Sequence, residues 1–292
     1  MAVLVRVVSR LLMAIVGLAW FAVVAHASGV ATAAPAQRIV STSPALTELV
    51  FAAGAGGKLV ASSAFSDFPP STKKIPQVAD ASGINIEALL AVKPDLVLVW
   101  ASGTRLNDIQ RLQALGIRVE SITVTTMVDV PLVLRKIGLW AGSVVQAESA
   151  AADFERRFSK LQNQFSNSAS LPVFFEISRV PLMTINGRHF ISEVLRICGG
   201  VNVFADVAPL VFTPSREMLL VKNPQVVLYG GKPHAAAGPS RDNSAYAGSR
   251  AEQSGQIISL TADWVMRPGP RLIDAAEQIC GVLERIRRNK TN

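Results

Sequence analysis

The stretch from Ser143 to Asn167 limits the fold more than any other. Apolar residues recur at Val144, Val145, Ala147, Ala151, Phe154, Phe158, Leu161 and Phe165, with charges and amides between them and no Pro or Gly. Spacings of three and four put such side chains on one stripe of an amphipathic α-helix. At about 1.5 Å per residue, ~24 residues would run roughly 36 Å, long for a globular helix. The segments on either side resemble each other. Glu87-Ala-Leu-Leu-Ala-Val-Lys-Pro-Asp-Leu-Val-Leu-Val-Trp100 precedes the helix and Glu217-Met-Leu-Leu-Val-Lys-Asn-Pro-Gln-Val-Val-Leu-Tyr229 follows it. In both, one spacer separates Glu from two leucines, Pro stands seven residues after Glu, and an apolar strand follows. The pattern predicts two similar α/β lobes joined by one helix.

Strand and helix signals alternate through both halves, which implies parallel sheets. Ile39–Val40, Leu59–Ser62, Leu96–Trp100 and Arg118–Ile122 read as strands in the first half. Ser43, Pro44 and Gly54 are the cap, first residue and stop of a helix between the first two. In the second half Val173–Ile177, Val226–Tyr229 and Ile257–Leu260 read as strands, Phe190–Cys198, Ser215–Val221 and Pro270–Arg288 as helices. Thr184–Gly187 reads as a turn and Thr261–Arg267 as a loop. Lys232–Ser254, rich in Gly, Ala, Ser and Pro, reads as a long surface loop. The expected division is a leader at 1–33, an N-terminal α/β lobe at 35–127, a helical connector at 128–168 and a C-terminal α/β lobe at 169–292. At 292 residues the chain has room for two such lobes.

Arg6 and Arg10 precede an apolar run from Leu11 to Ala25, followed by Ala25-His-Ala27 and Ala31-Thr-Ala33. Basic residues, a short apolar run and small-residue cleavage options describe a secretory signal peptide, so the mature chain is expected in the periplasm. The formal charge of +8 includes those two arginines and a basic tail, Glu284-Arg-Ile-Arg-Arg-Asn-Lys290. No basic stripe interleaves with aromatics, so nucleic acid is not an expected partner. Two cysteines follow the leader, Cys198 and Cys280. In an exported chain such a pair reads as a disulfide, with two separate buried thiols as the alternative.

No nucleophile elbow, phosphate-binding Gly loop, His-Glu-x-x-His or Cys-x-x-Cys occurs. His189 and His234 stand apart on predicted loops, which speaks against a multi-histidine metal site. Instead Phe65, Phe68, Trp100 and Trp264 sit at or just past predicted strand C-termini, with Asp263 and Arg267 alongside. Ligands of open α/β sheets bind at that edge, and flat apolar side chains suit a large, partly apolar ligand. Packing in the core is the plainer role for each aromatic alone. Glu87 and Glu217 each fall two residues after a capping residue, Asn85 and Ser215. A carboxylate in a first turn stabilises any helix. Its repetition in both lobes would also let the pair dock on a two-fold symmetric, cationic partner.

These residues resemble a known family: the periplasmic binding proteins with a single backbone helix, which serve importers of cobalamin, haem and ferric siderophores. The resemblance rests on Ser43-Pro-Ala-Leu-Thr-Glu-Leu49, Ser66-Asp-Phe-Pro-Pro70, the Asn85–Trp100 segment, Cys198-Gly-Gly200, Ser215-Arg-Glu217, and Asp263-Trp264 with Arg267. It implies two lobes with a ligand, cobalamin or a related corrinoid, in the cleft between them. It further implies ligand contacts at Phe65, Trp100, Asp263, Trp264 and Arg267, docking of Glu87 and Glu217 on a dimeric permease with its ATPase subunits, and pairing of Cys198 with Cys280. Cobalamin would be the transported cargo, no resident cofactor or metal is implied, and the free receptor would be a monomer. The chain departs from the cobalamin receptors at Ala81, where they carry a stacking Trp, and at Phe65, where they carry Tyr. A haem or ferric-siderophore receptor is the alternative within the family, with Tyr229, Tyr246, His189 or His234 as iron ligands. An exported α/β enzyme is the alternative outside it.

Overall fold

The computed structural model describes residues 34–231 and 244–291. The expected leader, His234 and most of the Lys232–Ser254 loop lie outside them, and residues 35–292 cluster as one unit. The chain runs β1 (Ile39–Ser41), α1 (Pro44–Ala52), β2 (Leu59–Ser63), β3 (Gln77–Asp80), β4 (Gly83–Ile84), α2 (Ile86–Ala91), β5 (Leu96–Trp100), α3 (Leu106–Ala114) and β6 (Val119–Ile122). These strands form one sheet in the order β4-β3-β2-β1-β5-β6. Two helices follow, α4 (Asp129–Ala141) and α5 (Val144–Phe165). The second sheet is built from β7 (Leu171–Arg179), β8 (Leu182–Ile185), α6 (Phe190–Ile197), β9 (Gly200–Asn202), β10 (Val211–Phe212), α7 (Arg216–Lys222), β11 (Val226–Gly231), α8 (Arg250–Gln253), β12 (Ile257–Thr261), α9 (Ala262–Val265) and α10 (Leu272–Thr291). Its path is β10-β8-β7-β11-β12, with β9 also on β7.

The expected α/β architecture of two sheets around a long helix is present, and the repeat extends to backbone detail. β5 and then β6 flank β1; β11 and then β12 flank β7, all in parallel. The repeated segments form α2–β5 and α7–β11. Each helix is capped alike: the Asn85 side chain accepts from the Ala88 amide at 3.0 Å, and Ser215 from Met218 at 3.2 Å. Each is followed by a residue in the left-handed region just before Pro, Lys93 (φ 44) and Asn223 (φ 42). Two expectations need correction. The sheets are not parallel throughout, because β4, β8 and β10 pair antiparallel at edges. Thr184 and Ile185 belong to β8 rather than a turn, and Thr261–Arg267 contains the single-turn helix α9.

Helix α5 has 22 residues, about 33 Å of rise. Its buried stripe is Ala147, Ala151, Phe154, Phe158, Leu161 and Phe165. Val144 and Val145 are exposed, so the stripe begins one turn later than the spacing suggested. The N-terminal turn is fastened to the first lobe, where Ser143 Oγ donates to the Ala53 carbonyl at 2.6 Å. Gly138 of α4 faces Ala147 of α5 so closely that an added Cβ would lie 2.3 Å from the Ala147 Cβ. Farther along, Arg157 donates to Asp274 at 2.5 Å and to Glu277 at 2.7 and 2.9 Å, tying α5 to α10 of the second lobe. One apolar core therefore runs from Ile39 and Leu46 through Phe154 and Phe158 to Val173 and Leu228. Each fully buried Phe or Leu contributes about 1.5–3 kcal/mol by leaving water, so the lobes share a packed layer instead of hanging from a linker. Smaller cores fill the outer face of each sheet, around Val97 and Leu89 in the first and Phe174 and Tyr246 in the second.

Cys198, at the end of α6, and Cys280, in α10, are buried and disulfide-bonded, with Cα atoms 4.7 Å apart. The separate-thiol alternative is thereby excluded. The bridge fixes α10 to the second lobe, and α10 in turn holds α5 through Arg157.

Candidate functional site

Parallel strands deliver their loops to the C-terminal edge of each sheet, and the two edges meet through charged side chains. Arg267 follows β12 and α9 in the second lobe. Its Nη1 donates to Glu48 at 2.9 Å and to Asp67 at 2.8 Å, both in the first lobe. Its Nη2 lies 3.0 Å from Asp263 and donates to the Phe65 carbonyl at 3.3 Å. Arg271 grips Glu48 with two nitrogens, at 2.8 and 2.6 Å, and lays its guanidinium 4.2 Å from the Phe68 ring centre. Glu48 is 3% exposed. A carboxylate this deep is tolerated because charge-assisted hydrogen bonds replace its water. Burial opposes charge on Asp67 and on Arg267 and is the largest single influence on each, yet their mutual hydrogen bond and the neighbouring hydrogen bonds and charges together outweigh it. The Asp67 carboxyl is held below its ordinary range and the Arg267 guanidinium above its own.

Phe65 stands on this rim with 80% of its surface exposed and φ at 63. A bulky residue in the left-handed region costs about 1–2 kcal/mol, and such strain persists only where the surroundings over-determine it. Here a buried chain of hydroxyls does so. Ser41 meets Thr47 at 2.6 Å, Thr47 meets Ser66 at 3.0 Å, Ser66 meets Ser63 at 3.0 Å, and Thr72 donates to the Ser66 carbonyl at 2.9 Å. The backbone beneath Phe65 is locked while its ring faces solvent.

Trp100 ends β5 at the same sheet edge, two strands from β2 and so roughly 10 Å across; it and Trp264 of α9 are half-buried against the main core. Of the five expected ligand-contact residues, Phe65, Asp263 and Arg267 gather in one cluster. Trp100 and Trp264 share the edge and also pack inward. The candidate iron ligands are placed otherwise. Tyr246 is fully buried and donates to Glu176, with Arg179 over its ring at 4.6 Å; Tyr229 is buried beside it. His189 is not on an exposed loop. It caps α6, its Nδ1 accepting from the Ile191 amide at 3.3 Å, and burial lowers its pKa to about 4. Among the described residues no group of three or more His, Cys, Asp or Glu could hold a metal ion.

Glu87 and Glu217 are both exposed, at the same first-turn position of α2 and α7. The Glu217 carboxyl is lowered by a hydrogen bond from its own amide and by one from Ser215. Sequence reasoning missed Glu48, Asp67 and Arg271. A signal was present: Glu48 is the one charge in Pro44-Ala-Leu-Thr-Glu-Leu-Val-Phe-Ala52, and two arginines recur four apart at 267 and 271.

The periplasmic binding protein family model matches residues 39–264. The chain is 36% identical over 250 residues to the vitamin B12-binding protein of Vibrio cholerae serotype O1, covering 86% of this chain and 90% of that one. It is 37% identical over 250 residues to the vitamin B12-binding protein of Pectobacterium carotovorum, covering 85% and 88%. The crystal structure of the periplasmic vitamin B12 binding protein of Vibrio cholerae superposes with a TM-score of 0.79 at 35% identity, over 86% of this chain and 97% of that one. A periplasmic heme binding protein from Pseudomonas aeruginosa shares the fold, with a TM-score of 0.73 at 24% identity over 84% and 91%. No helix among the described residues is long and apolar enough to cross a membrane. By sequence, by fold and by the edge-on meeting of its two lobes, the chain belongs to the periplasmic binding protein family.

Proposed function

We propose that this protein is a periplasmic receptor that captures cobalamin, or a related corrinoid, between its lobes and delivers it to an ATP-driven importer. The observation that carries the reading is Phe65: a fully presented aromatic on a locked backbone, beside the Arg267 and Asp263 pair, in a chain similar over most of its length to vitamin B12-binding proteins. A corrin has a broad apolar face and a periphery of amides. Phe65, Trp100 and Trp264 offer it apolar surface, while Asp263 and Arg267 offer its amides an acceptor and a donor. Glu87 and Glu217, held at fixed spacing by α5, are the carboxylates for a dimeric permease. The role is binding and not catalysis, and the working compartment is the periplasm, reached by way of the leader at 1–33. On this reading the two lobes span 35–127 and 169–292, with the connector at 128–168.

Burial of Tyr229 and Tyr246 and the use of His189 Nδ1 as a helix cap favour a corrinoid over haem. Calorimetric titration of Phe65→Ala and of Arg267→Ala with cyanocobalamin tests the site. Each variant should bind more weakly than the parent while melting as a folded protein. Unchanged affinity in both rules the site out.

A further inference from the structure

The expected ligand contacts leave Glu48 without a role. It is a charge on α1, where every residue from Ala45 to Val50 is buried. Its two oxygens accept three hydrogen bonds, all from arginines of the other lobe: Arg271 at 2.6 and 2.8 Å and Arg267 at 2.9 Å. Arg271 is further covered by Phe68, and Arg267 is shared with Asp67 and the Phe65 carbonyl. All the charged groups in the cluster are accounted for: Glu48 and Asp67 on the first lobe, Asp263, Arg267 and Arg271 on the second. The side chains of Glu48, Arg267 and Arg271 are 2%, 14% and 15% exposed, so water and salt screen them little.

We propose that Glu48 is a positioning residue: the fixed post of an inter-lobe clamp that sets the spacing of the lobes and aims the Arg267 guanidinium before any ligand arrives. Arg271 is the permanent arm. It meets Glu48 in a two-point fork, the geometry that gives guanidinium–carboxylate pairs their orientation as well as their strength. Arg267 is the arm that faces the rim, where Phe65 and Asp263 also stand. A pre-set arm spares the ordering that a free side chain would undergo on binding, which is the general route from preorganisation to affinity. The part concerning affinity rests on the cobalamin reading; the part concerning spacing does not.

Glu48→Gln keeps the shape and removes the charge. Spin labels on Leu115→Cys and Val221→Cys, exposed positions of the two lobes, report their separation in the ligand-free protein by pulsed electron resonance. The expected result is a longer or broader distance distribution in Glu48→Gln than in the labelled parent, with cyanocobalamin affinity reduced about tenfold or more. Should Glu48→Gln fail to fold, Arg271→Gln, on the other side of the pair, is predicted to broaden the distances likewise. Unchanged distances overturn the clamp; broadening in a variant that binds cyanocobalamin as tightly as the parent overturns the aiming of Arg267. If the parent itself binds no corrinoid, the cobalamin reading fails and the distance measurement still decides the clamp.

Discussion

Titrating His189 tests how the second lobe is stabilised. Its Nδ1 accepts the Ile191 amide and so caps α6, a role open only to the form unprotonated at that nitrogen. Burial lowers its pKa to about 4, against 6.5 for the ordinary side chain. The folded state therefore disfavours the proton that the unfolded chain takes up below pH 6.5. Stability is full above that value and is lost as pH falls from 6.5 towards 4. At about 1.36 kcal/mol per unit of pKa difference the loss has an upper bound of about 3 kcal/mol. The ring keeps part of its surface in water, so about 1–3 kcal/mol is expected. Urea unfolding at intervals between pH 4.5 and 7 measures it. His189→Asn retains a capping side chain without a titrating group, and its slope over that range should be flatter by that amount. Parallel slopes for parent and variant would refute both the burial and the cap.

Other expectations follow from single contacts. Replacing Cys198 and Cys280 by Ser opens a loop of 82 residues and should lower stability by roughly 4 kcal/mol in the chain-entropy model, read by denaturant unfolding with and without reductant. Phe65→Gly relieves a left-handed backbone, so its melting temperature should match or exceed the parent's while cyanocobalamin binding weakens; a clear drop in melting temperature would contradict the strain assigned to that loop. Glu87→Ala together with Glu217→Ala should leave ligand affinity intact and abolish uptake in whole cells, and undiminished uptake would remove their docking role.

Much of this fold was legible because its signals are local and periodic. The α5 stripe, the capped repeats at Asn85 and Ser215, and the Pro punctuation at 94 and 224 each follow from side-chain spacing or backbone stereochemistry. The edge strands β3, β4, β9 and β10 were not foreseen. They are two to four residues long, too short for an alternating pattern to show. Val144 and Val145 show the limit of periodicity: the stripe names a helix face, but packing against Gly138 decides where burial begins. The site was legible in part for the same reason. Phe65, Asp263 and Arg267 could be placed by their position after strands. Glu48, Asp67 and Arg271 could not be assigned, because their partners lie about 200 positions away in the chain and only the folded lobes bring them together. The left-handed conformation of Phe65 carries no sequence signal at all, since Phe is a residue that such a position ordinarily excludes.

Calorimetric titration of the mature protein with cyanocobalamin, alongside haemin, bears most directly on the central claim. Saturable one-to-one binding of cyanocobalamin, with no shifted haem absorption in the parallel haemin titration, is the predicted result. No heat with cyanocobalamin at micromolar protein, or saturable haem binding in its place, would contradict it.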